Sequence, residues 1–289
     1  MISISINIKQ YKGSIDNTMD KYKNLDNKNI KNINIIVEIC CGSFEDAIHA
    51  FHGGAKRIEL NSALHLGGLT PSVASLKLVK QHTDLEVICM VRPRGAGFCY
   101  SEFEQQQIFV EAEDLLKNGA DGLAFGFLTI DKLIDTKLTA KMTNLIHQYH
   151  KTAVFHRAFD CVNEPFYAMD KLIELNIDRI LTSGLQSTAI KGQELLKKLQ
   201  LKAENKVELL AGSGINYTNV IDLIKNTKLK QVHSSCKNWQ EDITTTGKFV
   251  NYAFNTGKYQ NHFDVVDEQL VQKLVSAVNS FSISYKNNY

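Results

Sequence analysis

The chain has almost no charge bias: 33 Lys and Arg stand against 31 Asp and Glu, a formal +2 over 289 residues. That balance supplies neither the basic surface nucleic acid requires nor one suited to an anionic membrane. No apolar run approaches the roughly 18 to 20 residues of a membrane-spanning helix. The cysteines, at 40, 41, 89, 99, 161 and 236, include no CxxC pair, which excludes most zinc-ribbon and thioredoxin-like arrangements. Proline is scarce, with three residues, while hydrophobic residues make up 44%, enough for a large buried core in a soluble globular chain. Without a secretion signal, the expected setting is a reducing cytoplasm with free thiols.

Residues 1–33 are rich in Asn, Lys and Ile and lack both a continuous apolar stretch and a small-residue cleavage site. This segment reads as a poorly ordered N-terminal extension without a catalytic role. From residue 34 to 289 short β-rich runs alternate with helical periodicity, the pattern of parallel βα units. Eight strands are expected, at 35–40, 56–61, 86–92, 122–127, 153–159, 179–183, 207–211 and 231–235. Helix starts are signalled by Ser43 with Asp46 three residues on, by Thr70 before Pro71, by Asn163 before Pro165 and by Ser187. Gly53 and Gly119 fall where such helices stop. The length would permit two domains, but eight similar units without a break in composition favour one closed (β/α)8 barrel, an α/β TIM barrel. The polar stretch 236–263, before a final helix near 266–279, is long enough to cross the barrel mouth as a lid or active-site loop, and a disordered surface loop is the alternative.

Strand residues alternate between the helix layer and the barrel interior. Apolar residues at Val37, Ile39, Ile58, Leu60, Val87, Cys89 and Val91 assign those positions to the helix layer. Ile36, Glu38, Cys40, Arg57, Glu59, Asn61, Ile88, Met90, Val154, His156, Gln231, His233 and Ser235 then face inward, with Arg92, Arg94 and Asp160 inside or at the rim. An interior with several acids, several arginines and two imidazoles is a poor packing core. Buried ions cost several kcal/mol each unless paired, so these groups must bond one another or a ligand. They crowd the C-terminal strand ends, the face where barrel enzymes build their sites.

The RPRG segment, residues 92–95, offers two guanidinium forks, suited to a carboxylate or phosphate. The AGSG turn contributes Gly212, Ser213 and Gly214, and the end of the last strand Ser234 and Ser235, where barrels commonly bind phosphate through loop amides; a tight βα turn explains the same glycines. The His49/His52 and His147/His150 pairs have chelating spacing, but they sit in last turns of helices, where imidazolium complements the dipole.

The segments VEICCGSFEDAIHAFHGGAKRIELNSALHLGGLTPS, VICMVRPRGAGFCYS, VFHRAFDCVNEP, RILTSG and VHSSCKNW resemble, in order and spacing, the CutC family, named for copper homeostasis. The likeness spans residues 36–281. It implies a cytoplasmic TIM barrel, usually homo-oligomeric, tied to copper tolerance or Cu(I) binding, with no settled reaction. Carried over residue by residue, the family's strand-end cysteine is Cys40, and Glu38, Glu59, Arg92, Arg94, His156, Arg157, Asp160 and His233 all match. Some members carry a second thiol at the end of strand 2; this chain has Asn61, and one thiol with an amide is a poor Cu(I) site. Cys41 points to the other face of its strand.

Two functions follow. One is copper homeostasis, with Cu(I) on Cys40 aided by Met90 or His233. The other is an enzyme for a small anionic metabolite, phosphorylated or carboxylated, held by Arg92 and Arg94. There His156 or His233 would act as acid or base and Glu38, Glu59 or Asp160 would orient it. A binding barrel without chemistry is the third.

Overall fold

Apolar residues at every second strand position are what bring the helices onto the sheet. In the computed structural model of the chain, which describes residues 35–287, Val37, Ile39, Ile58, Leu60, Val87, Cys89 and Val91 are all buried under the helix layer, as their alternation predicts. The strands are β1 (Ile36–Cys41), β2 (Arg57–Leu60), β3 (Glu86–Met90), β4 (Gly122–Phe125), β5 (Thr152–Phe155), β6 (Arg179–Thr182), β7 (Glu208–Ala211) and β8 (Gln231–Ser234). They pair in parallel and in sequence order, and β8 closes onto β1. The α-helices among the described residues are α1 (Phe44–His52), α2 (Val73–His82), α3 (Glu102–Lys117), α4 (Thr136–Gln148), α5 (Pro165–Glu174), α6 (Gln193–Ala203), α7 (Val220–Thr227) and α8 (Glu268–Asn287). The architecture is a TIM (β/α)8 barrel. The extension at 1–33 lies outside the described residues.

Several boundaries differ from the sequence expectation for local reasons. β3 stops at Met90, two residues before the Arg-Pro step, and β5 stops at Phe155 instead of 159. There the His156 ring accepts a hydrogen bond at Nδ1 from the Ala158 N–H, starting a 3-10 turn over Arg157–Cys161. Ser43 caps α1 as expected, accepting from the Asp46 N–H. The cap of α2 is Ser72, because Thr70 is held by hydrogen bonds to Arg92 and Glu111. Pro165 opens α5 after Glu164, while Ser187 lies in turns well ahead of α6. The last helix starts at Glu268 and runs beyond the expected 279.

The interior is divided. On the β3, β4 and β5 side Ile88, Met90, Ala124 and Val154 form a separate apolar cluster inside the barrel. Gly122 makes room for it: a Cβ there would stand 2.6 Å from Ile88 Cδ1. On the β8, β1 and β2 side the register sets Glu38 beside both Arg57 and His233, and Cys40 beside Glu59. Glu38 Oε2 is 2.6 Å from Arg57 Nε, a close ion pair without good hydrogen-bond alignment. Arg57 Nη2 donates to Gln231 Oε1 at 2.6 Å.

Between β8 and α8 the chain forms an antiparallel hairpin, β9 (Lys237–Glu241) with β10 (His262–Val266). Its base is anchored on α1. Asp46 accepts from the Gly42 N–H at 2.8 Å through one carboxylate oxygen and from the Val266 N–H at 2.7 Å through the other. His49 Nδ1 bonds the Val266 carbonyl at 2.9 Å.

Removing one partner of a buried ion pair strands the other. Arg57→Met is therefore expected to destabilise the fold by about 3 kcal/mol or more, read as a fall in the urea midpoint. Adding Glu38→Gln in the same background should recover part of the loss.

Candidate functional site

The C-terminal ends of β1, β2, β3, β5, β7 and β8 surround a cavity of about 360 Å³ at the barrel mouth. Its floor on the β1 side is a chain of bonded polar groups. Glu38 Oε1 lies 2.8 Å from His233 Nδ1, and that bond turns the other ring nitrogen toward the cavity. Cys40 Sγ, a Glu59 carboxylate oxygen and a His233 ring nitrogen lie within 4.8 Å of one another, close enough to share one metal ion. Cys40 is the one cysteine that lines the cavity.

Asn61 completes this corner. Its Nδ2 donates to Glu59 Oε2 at 3.0 Å, to the Glu59 carbonyl at 3.1 Å and to Cys40 Sγ at 3.6 Å. Reversing the amide would set its oxygen against a carboxylate and a carbonyl, so the orientation follows from the network. The sequence suggested a thiol partnered by an amide. In the structure the amide is a donor to the thiol and carboxylate, and the set available to a metal is thiol, imidazole and carboxylate.

Burial and charge set the protonation here. Burial opposes charge on Glu38, but Arg57, followed by His233, outweighs it and holds the carboxyl at about 2. Burial disfavours the His233 imidazolium, yet hydrogen bonds to Cys40 and Glu38 and the charge of Glu59 lift it well above the usual histidine range. Burial pushes the Cys40 thiol up, with partial relief from His233. Glu59 is raised by burial in the same way, His233 pulling it down and Glu38 pushing it up.

The rest of the lining is Arg92, Phe98, His156, Arg157, Ser213, Gly214, Ser234 and Ser235, with Lys237 and Asp264 from the hairpin. The hairpin thus reaches the mouth, which favours the lid over the disordered loop that the sequence left open. Burial, reinforced by the charge of Arg92, brings His156 down to about 3, so its ring is neutral. With Nδ1 accepting from Ala158, the proton sits on Nε2, which is buried and has no partner among the described residues.

Other candidates have different employment. Arg92 is not a free anion clamp: Nη1 donates to the carbonyls of Leu66 and Gly68, and Nη2 to that of Ala96. Arg94 is not brought to the cavity, since it pairs with Glu104 and donates to the carbonyls of Gly95, Gly97 and Cys99. Asp160 likewise lies outside the cavity wall. It accepts from Thr182 Oγ1 and from the N–H groups of Ser183 and Leu185, and pairs with Arg157, fastening the loop after β6 to the turn after β5. Gly212 sits behind the wall, its N–H bonded to the Thr182 carbonyl. Both arginines of the RPRG segment serve loop carbonyls, which no residue pattern distinguishes from anion recognition. Lys237 and Asp264 escaped the sequence reading because only the antiparallel pairing of β9 with β10 brings them together, at 3.4 Å.

A family model, the CutC family, matches residues 35–238. The chain belongs to the CutC family. A family protein CutC of Treponema denticola is 48% identical over 212 residues, covering 73% of this chain and 85% of that protein. The human copper homeostasis protein cutC homolog is 37% identical over 206 residues, covering 71% and 75%. Among solved structures, CutC from Streptococcus agalactiae superposes with a TM-score of 0.66 at 28% identity, over 70% of this chain and 98% of that one. A phosphoribosylanthranilate isomerase of Thermotoga maritima shares the barrel alone, at 12% identity and a TM-score of 0.51 over 85% of this chain and 99% of that one. The CutC match ends as β9 begins, so most of the hairpin lies beyond it.

In this CutC protein the depressed pKa of His156 has a testable consequence. On unfolding the ring regains its ordinary value of 6.5. The stability it contributes as a neutral group is complete above that pH and is lost as pH falls toward about 3. His156→Asn retains an acceptor for the Ala158 N–H but does not titrate. Between pH 7 and pH 5 the wild type should therefore lose about 2 kcal/mol more unfolding free energy than the variant, measured by urea denaturation.

Proposed function

We propose that this CutC protein handles copper, taking Cu(I) as cargo at Cys40 with His233 and Glu59 completing the site. The observation that carries this is the convergence of thiol, imidazole and carboxylate within 4.8 Å at the barrel mouth, in a family whose human and mouse members are called copper homeostasis protein cutC homologs. Thiolate is the soft donor that Cu(I) prefers, and imidazole is a competent second ligand. The Met90 thioether lines the same cavity as a further soft group. Glu38 acts behind the ligands: by accepting from His233 Nδ1–H it fixes the ring so that the other nitrogen faces the ion and ligates it once its proton is released on binding.

The setting that goes with this chemistry is a reducing cytoplasm, where Cys40 stays a thiol. We take the working assembly to be a homo-oligomer. Among the described residues no helix is long and apolar enough to cross a membrane.

Anaerobic titration with Cu(I) against a chromogenic chelator tests the site. Wild-type protein should take up one ion per chain, and Cys40→Ser should lose that uptake; equal uptake by the two proteins removes Cys40 from the site. Asn61→Cys replaces a donor beside Cys40 with a second thiol and should tighten Cu(I) binding by about tenfold or more in the same competition.

A further inference from the structure

The cavity has two chemically different walls, and copper employs one of them. Cys40 and Glu59, at the ends of β1 and β2, supply its acceptors and its thiol. The rest of the lining carries hydrogen-bond donors from the turns after β5, β7 and β8. His156, 3% exposed, presents an N–H at Nε2 with no partner. Arg92 adds no free donor: its Nη groups are spent on carbonyls and its side chain lies beside the Tyr100 hydroxyl, which is outside the cavity lining. A buried polar group left unpaired costs about 1–3 kcal/mol, so an unpaired donor on the cavity wall marks a place where a ligand supplies the missing acceptor.

The backbone of the same lining points the same way. Ser213 and Gly214 both have positive φ, 79° and 72°. Their N–H groups, and that of Ser235, donate to no acceptor among the described residues, whereas the neighbouring Gly212 N–H is bonded to Thr182. The Ser213 side chain is turned away to the Ser187 carbonyl, and its own carbonyl is taken by the Ala189 N–H. The turn is thus held in place by its other polar groups while its amides stay open. Successive free amides of this kind form a concavity that accepts anionic oxygen. At the rim Arg157 is partly exposed, with Nε and Nη2 bound to Asp160 and Ser183, and Lys237 stands over the opening beside Asp264. Of the acids in the lining, Glu59 belongs to the Cys40 corner and Asp264 is paired with Lys237.

We propose that the part of the lining formed by His156, Ser213, Gly214 and Ser235 binds the oxyanion group of a small phosphorylated or carboxylated metabolite. His156 is a neutral donor there, suited to an oxygen that already carries charge, and Lys237 and Arg157 provide the positive field at the entrance. A cavity of about 360 Å³ leaves room for an organic body beyond the oxyanion itself. The site is independent of copper; it keeps the Ser213, Gly214 and Ser235 loop amides singled out in the sequence and replaces the Arg92 and Arg94 clamp with the Nε2 donor of His156.

The test is isothermal titration of the full chain with inorganic phosphate and, in a separate arm, with malonate, at fixed ionic strength. Saturable binding of either probe is expected, and the stronger arm assigns the ligand as phosphorylated or carboxylated. His156→Asn keeps the cap on Ala158 and deletes the Nε2 donor, and it should weaken that binding about tenfold or more. Lys237→Ala, at an exposed position that the barrel does not pack around, should weaken it and reduce its salt dependence. Absence of binding in both arms overturns the proposal, as does equal affinity in wild type and both variants. Cu(I) uptake by the wild type is measured on the same preparation, so that the copper site and the oxyanion site stand or fall separately.

Discussion

The carboxylate of Glu38 is the constraint on which the barrel interior depends. It is an ion with almost no access to water, and it is tolerable there because one oxygen meets Arg57 and the other meets His233. The first contact ties β1 to β2 and, through Gln231, reaches β8. The second fixes the ring that faces Cys40. A single side chain therefore holds the polar arc of the barrel together and prepares the mouth. The opposite arc, filled by Ile88, Met90, Ala124 and Val154, is packed in the ordinary way. The barrel is thus a structural body on one side and a preorganised polar site on the other.

Much of this was legible in the residues. Period-two alternation in short strands has one physical solution when the outer face must meet helices, so the inward positions of Glu38, Cys40, Arg57, Glu59, His156 and His233 followed from the outward positions of their apolar neighbours. What the pattern could not convey was the destination of each long side chain. Arg92 and Arg94 have the reach of a ligand clamp, but the RPRG turn and the loop at Leu66–Gly68 leave carbonyls unpaired, and the guanidinium groups satisfy these first. Asp160 was drawn off in the same manner by the N–H groups at the end of β6. Backbone demand in turns depends on dihedral angles, and sequence spacing does not record it.

The two walls of the cavity complement each other electrostatically. Donors gather after β5, β7 and β8, and acceptors with the thiol gather at β1 and β2, while His233 sits at the seam between them. A neutral His156 and a strongly basic His233 stand on the same cavity because their surroundings differ: burial disfavours a proton on both, Arg92 adds to this for the first, and hydrogen bonds to Cys40 and Glu38 with the charge of Glu59 overcome it for the second. Copper and an oxyanion would thus be received by separate groups within one opening.

Asp46 gives the mouth a hinge pin. One oxygen holds the turn that leaves β1 directly after Cys40 and Cys41, and the other holds the final residue of β10. The position of the returning hairpin strand is therefore set by the same carboxylate that sets the exit of the thiol-bearing strand. The span between β9 and β10 touches the barrel through the stacking of Phe254 on His65, so the rest of it can change in length and composition while its base stays in register with the barrel. The flap over the mouth can be remodelled without moving the floor beneath it.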